Sequence, residues 1–88
     1  MTTKPPSVVQ EFASDSLEKI AYNSVSTIPT EEPNDRHRLG YHIWRWMLNK
    51  ESTLAKAITE SGARLLIKHT EALKIITESL QQQGVHIN

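Results

Sequence analysis

Hydrophobic positions recur at helical spacing in three stretches of the chain. In the first, Val8, Val9, Phe12, Ala13, Leu17, Ile20 and Ala21 fall on one side of a helical wheel. Glu11, Asp15 and Glu18 sit almost opposite them. Pro5 and Pro6 precede Ser7, and Ser7 with Gln10 fits a capping box. The spacing predicts an amphipathic helix from about Ser7 to Asn23, its acidic stripe a solvated face. Residues 24–35 show no period. Two prolines and several small polar residues make them a linker or exposed loop. Asn34 or Asp35 then serves as N-cap for the next helix.

The second helix is expected from about Arg36 to Leu48. Leu39, Ile43, Trp46 and Met47 form one apolar stripe. Tyr41, Trp44 and Leu48 form another, roughly 150° away on a wheel of 3.6 residues per turn. Only the line Arg38, His42, Arg45 and Asn49 is consistently polar. An ordinary surface helix has one apolar stripe. A helix with two is either central in a bundle or shared with a partner.

In the third stretch Leu54, Ile58, Leu65, Leu66, Ala72, Leu73, Ile76 and Leu80 keep a single helical period. Asn49 to Ser52 supply acceptable caps. Gly62 either ends a short helix or lies on the apolar face of one long helix. The unbroken phase favours a single helix of about 32 residues, about 48 Å long, running to Gln83. Gln83-Gly84-Val85 is a stop signal, with Gly84 just past the end and Val85 turned back onto Leu80. Leu54–Ser61 and Ala72–Ser79 share five of eight residues at an offset of five helical turns. That echo is too short to be a repeat architecture. It reads as two segments with similar packing demands.

The fold class is therefore all-α: a small three-helix bundle, or four-helix if Gly62 breaks the last element. The first six residues are expected to be disordered and residues 85–88 to fray. The two shorter helices cannot cover a face about 48 Å long, and the second helix is apolar on two sides. Both features predict a homodimer, with twofold symmetry.

Composition narrows the function classes. The chain has 88 residues and no cysteine. One domain of this size is too short for barrels or dinucleotide-binding sheets. Without cysteine there are no disulfides, thiolate nucleophiles or cysteine-bound zinc. A small domain without disulfide staples fits a reducing compartment. The polar start Met1-Thr2-Thr3-Lys4 and the lack of a long apolar run point to a cytoplasmic protein with no membrane contact. The net charge is zero but uneven. Residues 1–35 carry two lysines against six carboxylates, and residues 36–88 carry eight Lys and Arg against four glutamates. A neutral total argues against a nucleic-acid coat protein, whose affinity depends on many phosphate contacts.

The segment 36–50 holds the candidate chemistry. Arg38, His42 and Arg45 line one helix face, while the rings of Tyr41 and Trp44 mostly point in other directions on the wheel. Trp, Tyr and Arg are the usual anchors of protein interfaces. This makes Arg38, Tyr41, His42, Trp44 and Arg45 the expected partner-binding set. The alternative is nucleic-acid binding through Arg36, Arg38, Arg45 and Lys50, with rings stacking on bases. Leu39, Ile43, Trp46, Met47, Leu65, His69, Leu73 and Ile76 are assigned to the core or a dimer interface. His69 falls mid-face in the last helix, as a core or interface histidine. Leu54, Ala55, Ile58, Ser61 and Leu65 fall near the spacing of a helix-turn-helix, but the fit is poor, because Glu60 and Lys68 would occupy packing positions. The histidines do not pair at metal-binding spacing, and no Gly-rich phosphate loop or nucleophile elbow is present. No catalytic residue, metal or cofactor is expected. The expected function is a non-enzymatic helical adaptor or regulator that binds another protein.

Overall fold

The computed structural model describes residues 16–49 and 53–86. The expected helix start at Ser7, its capping box and apolar residues 8–13, the disordered 1–6 and Lys50 lie outside the described residues. Four helices are present among those described, and no strand. Helix α1 is described over 16–24, followed by α2 (Pro33–Asn49), α3 (Leu54–Glu60) and α4 (His69–Gln82).

Helix α2 starts three residues earlier than its capping residues suggest. Pro33 occupies the first helical position. There its missing N–H costs nothing and its fixed φ is already helical. Asp35 thus lies in the first turn instead of capping it, and is fully buried. A carboxylate in that turn complements the partial positive charge of the helix N-terminus. Its N–H donates to the carbonyl of Glu32 at 3.0 Å.

The single long C-terminal helix does not form. Thr53, not a residue of 49–52, caps α3, its Oγ1 accepting from the N–H of Lys56 at 3.0 Å. Gly62 then adopts φ +68 and leaves the helix, a conformation that side chains with a Cβ resist. Ser61 Oγ donates to the carbonyl of Ile58 and accepts from the N–H of Ala63, fastening the exit. Residues 61–68 are irregular before α4 begins at His69. Leu65 and Leu66 therefore lie in a connection. Leu65 is half-buried and Leu66 is 63% exposed. His69, expected mid-face, is exposed in the first turn of α4. With the long helix divided, one of the two grounds for a homodimer disappears.

The end of α4 follows the predicted stop. Gly84 has φ +94, its N–H donates to Gln81, and the Val85 N–H donates to Leu80 at 2.9 Å. Val85 packs against the core. These are the paired bonds and apolar contact of a Schellman ending.

The core comprises Ala21, Val25 and Ile28 from α1 and the turn after it, Leu39 and Ile43 from α2, Leu54, Ala57 and Ile58 from α3, and Ala72, Ile76 and Leu80 from α4. Trp46, Met47, Leu65 and Leu73 are half-buried against it. The two echoed octets fall on separate helices. Leu54 and Ile58 are buried like their counterparts Ala72 and Ile76, while Lys56 and Lys74 are exposed.

The expected linker is a built element. Ser24 ends α1, and Val25 and Ile28 are core residues. Residues 29–31 run antiparallel to 64–66. The Glu31 N–H donates to the Arg64 carbonyl at 3.0 Å, and the Leu66 N–H donates to the Pro29 carbonyl at 2.9 Å. Thr30 and Leu65 form the bridge between them.

Helix α1 crosses α2 at Gly40. A Cβ built on Gly40 would lie 2.7 Å from Cε1 of Tyr22, and nearer still to its Cδ1. The Tyr22 ring also stacks on His37, with centroids 5.0 Å apart. A glycine inside a helix otherwise costs about 1 kcal/mol relative to alanine; here it makes room for the ring. We expect Gly40→Ala to destabilise the protein by about 1–3 kcal/mol in urea denaturation. In a Tyr22→Ala background the same change should become neutral or stabilising, by up to about 1 kcal/mol. An equal loss in both backgrounds would show that the ring is not what requires the glycine.

Candidate functional site

The solvent-facing side of α2 brings together most of the expected partner-binding residues. Tyr41 and Leu48 are 43% and 41% exposed, and Trp44 is half-buried between them. Their spacing of three and four residues stacks them along one face. The rings of Tyr41 and Trp44 are tilted at 46° with centroids 5.6 Å apart. His42 meets the edge of Tyr41 at 5.8 Å. The result is a ridge in which Tyr41 stands outermost, backed by an indole. The Trp44 indole N–H is buried and finds no acceptor among the described residues.

Arg38 and Arg45 run beside this ridge, both exposed. The Arg38 guanidinium donates to Oδ1 of Asp35, joining the exposed face to the buried start of the helix. The arginine side chain is 53% exposed and the aspartate 0%. Most of the value of the pair lies in not leaving a buried carboxylate without a donor. Among the described residues no carboxylate pairs with Arg45. Its guanidinium is available for bidentate contacts with a carboxylate or phosphate.

The alternative nucleic-acid set is not assembled in the same way. Arg36 turns inward, its Nε donating to the Ile28 carbonyl at 3.0 Å. It holds the turn between α1 and α2. Arg38 is engaged with Asp35, and Lys50 lies outside the described residues. Of that set, Arg45 alone is exposed and without a partner among the described residues.

Of the residues assigned to core or dimer interface, Leu39, Ile43 and Ile76 are fully buried. Trp46, Met47, Leu65 and Leu73 are half-buried. His69 belongs to neither group, being exposed at the start of α4.

Tyr22, which borders the ridge where α1 crosses α2, is not marked by the sequence pattern around it. The isolated glycine at position 40 is the available signal, since a glycine within a helical pattern marks a close approach. Burial raises the Tyr22 hydroxyl pKa above its usual value, helped by the charge of Glu18 and by Tyr41. A shallow depression lined by Glu18, Lys19, Tyr22 and Asn23 lies open to solvent beside it. Among the described residues no group of three His, Asp or Glu could hold a metal ion, and no helix is long and apolar enough to cross a membrane.

Comparison of the chain with protein-family models, with curated proteins and with solved structures finds no match in any of the three.

The Tyr22 shift gives a measurable pH dependence. The folded state keeps this phenol proton more tightly than the unfolded chain does. Its contribution to stability is fully present below about pH 10 and is lost as the pH rises through the folded value. In a Tyr41→Phe variant, ultraviolet titration of the remaining phenol should give a midpoint above about 10, returning to about 10 in denaturant. Equal midpoints in the two conditions would contradict the burial of Tyr22.

Proposed function

We propose that this protein is a non-enzymatic interaction module, a small helical adaptor or regulator that binds another protein through the outer face of α2. The supporting observation is the ridge of Tyr41, Trp44 and Leu48, beside Arg38 and Arg45. Two large apolar side chains on one helix face are more than 40% exposed. Exposed apolar side chains grouped together and rimmed by polar groups mark binding surfaces more often than scattered single residues do. Tyrosine, tryptophan and arginine are also the side chains that supply most interface free energy. In the proposed mode Tyr41 enters a pocket of the partner, Leu48 extends the contact by two turns, and the arginines pair at the rim. Trp44 supports Tyr41 from beneath.

The test is capture of partners from native lysate with tagged full-length protein, with and without nuclease, read by mass spectrometry. A protein partner should survive nuclease. Tyr41→Ala should remove it while leaving far-ultraviolet circular dichroism unchanged, because Tyr41 lies outside the buried core. Trp44→Ala is the weaker probe, since the half-buried indole also packs against the core. Loss of every partner after nuclease would move the function to nucleic acid.

A further inference from the structure

We propose that the partner segment seated on the α2 ridge is an acidic amphipathic helix from another protein, with apolar side chains against Tyr41, Trp44 and Leu48 and carboxylates against Arg45, beside the Asp35-paired Arg38. This rests on the interaction-module reading above and names the chemistry of the partner. The ridge is one side chain wide. It extends about 10 Å along the axis from Tyr41 to Leu48, at about 1.5 Å per residue. That is two turns, the footprint of a helix contacting with residues spaced three and four apart.

Charge decides the flank. Arg38 and Arg45 lie on the same side of the ridge, two turns apart. The described exposed residues of α2 include no carboxylate, since Asp35 is buried. Glu31 and Glu32 are drawn to Arg64 instead, at 3.6 and 3.7 Å. Helix α1 approaches at Gly40, and its Tyr22 stacks on His37, one turn before Tyr41 on the line of the ridge. A visiting helix thus meets α1 at one end of the ridge and, along one side, Arg45 with the Asp35-paired Arg38.

Two other occupants fit less well. A second copy of the chain would bring α2 against α2 and set the Arg38 and Arg45 rails near one another. Like charges juxtaposed at an interface suppress that pairing. A phosphate backbone needs several cations along its path. Here Arg36 is tied to the Ile28 carbonyl and Arg38 to Asp35, which leaves Arg45 as the unengaged arginine of the face among the described residues.

The full-length protein is titrated against three labelled probes by fluorescence anisotropy. One is a helical peptide of about five turns with leucines on one face and flanking glutamates. The second carries lysines in place of those glutamates. The third is a single-stranded DNA. The acidic peptide should bind saturably, about fivefold or more tighter than the lysine peptide. Arg45→Glu should reverse that order. Arg45→Gln should abolish the preference without reversing it. Both variants alter an exposed position, and circular dichroism checks that they fold. Tyr41→Ala should weaken both peptides alike. Equal affinity for the two peptides, tighter binding of the DNA, or no saturable peptide binding would overturn the proposal. So would a dimer in sedimentation equilibrium that Tyr41→Ala dissociates, because a second copy would then cover the ridge. If the peptides fail while Tyr41-dependent capture of a lysate protein persists, the acidic-helix proposal falls and the interaction-module reading stands. If both fail, both fall.

Discussion

Two backbone hydrogen bonds clasp the connections of the two halves of this protein over their shared core. Glu31 donates to Arg64, and Leu66 donates to Pro29. Neither segment is a strand in its own right. Together they join the turn between α1 and α2 to the turn between α3 and α4. A chain of this size buries little surface per residue, and its helices are short. Helices of seven or fourteen residues are marginal alone in water. Their order derives from the common core, and the clasped connections fix how its contributors meet. The ion pairs of Arg64 with Glu31 and Glu32 lie over the same clasp, but they are exposed and add little.

Helix α2 is the wall that both halves share. Leu39 and Ile43 face the core, Gly40 accepts the Tyr22 ring, and Arg36 and Asp35 serve the entry turn. So many inward duties leave a narrow outward face, on which Tyr41, Leu48 and Arg45 stand. The chemistry that distinguishes this face follows from what the inner faces occupy. Of three arginines in α2, one is held by a carbonyl and one by a buried carboxylate.

Much of this is legible in the residues, and the exceptions have physical causes. The α2 stripes and the Gly84 stop are readable because amphipathic period and left-handed glycine are local properties. The break at Gly62 is not. Leu65 and Leu66 keep the phase set by Ile58 and Ala72, although the backbone between those two is irregular. Periodicity records where apolar residues recur, not whether the chain is helical between them. Prolines and serines around Val25 and Ile28 give those positions the look of a loop, yet both continue the spacing of Ala21 and are fully buried. Asp35 has the chemistry of a cap, but proline at the first helical position sets the helix start ahead of it. At the site, the exposed Tyr41 and Arg45 are legible from α2 alone. The shielding of Trp44 and the loss of Arg36 are not, because they depend on tertiary neighbours.

Both tryptophans lie in α2, two residues apart and half-buried on different sides of it. The intrinsic indole emission of this protein is therefore a report from a single helix. Fluorescence sees α1, α3 and α4 only through what their departure does to that one environment. Partial melting of α4 can pass unseen in an emission experiment while far-ultraviolet dichroism records it. Coincident curves from the two signals would show that α2 and the remaining helices come apart in one step.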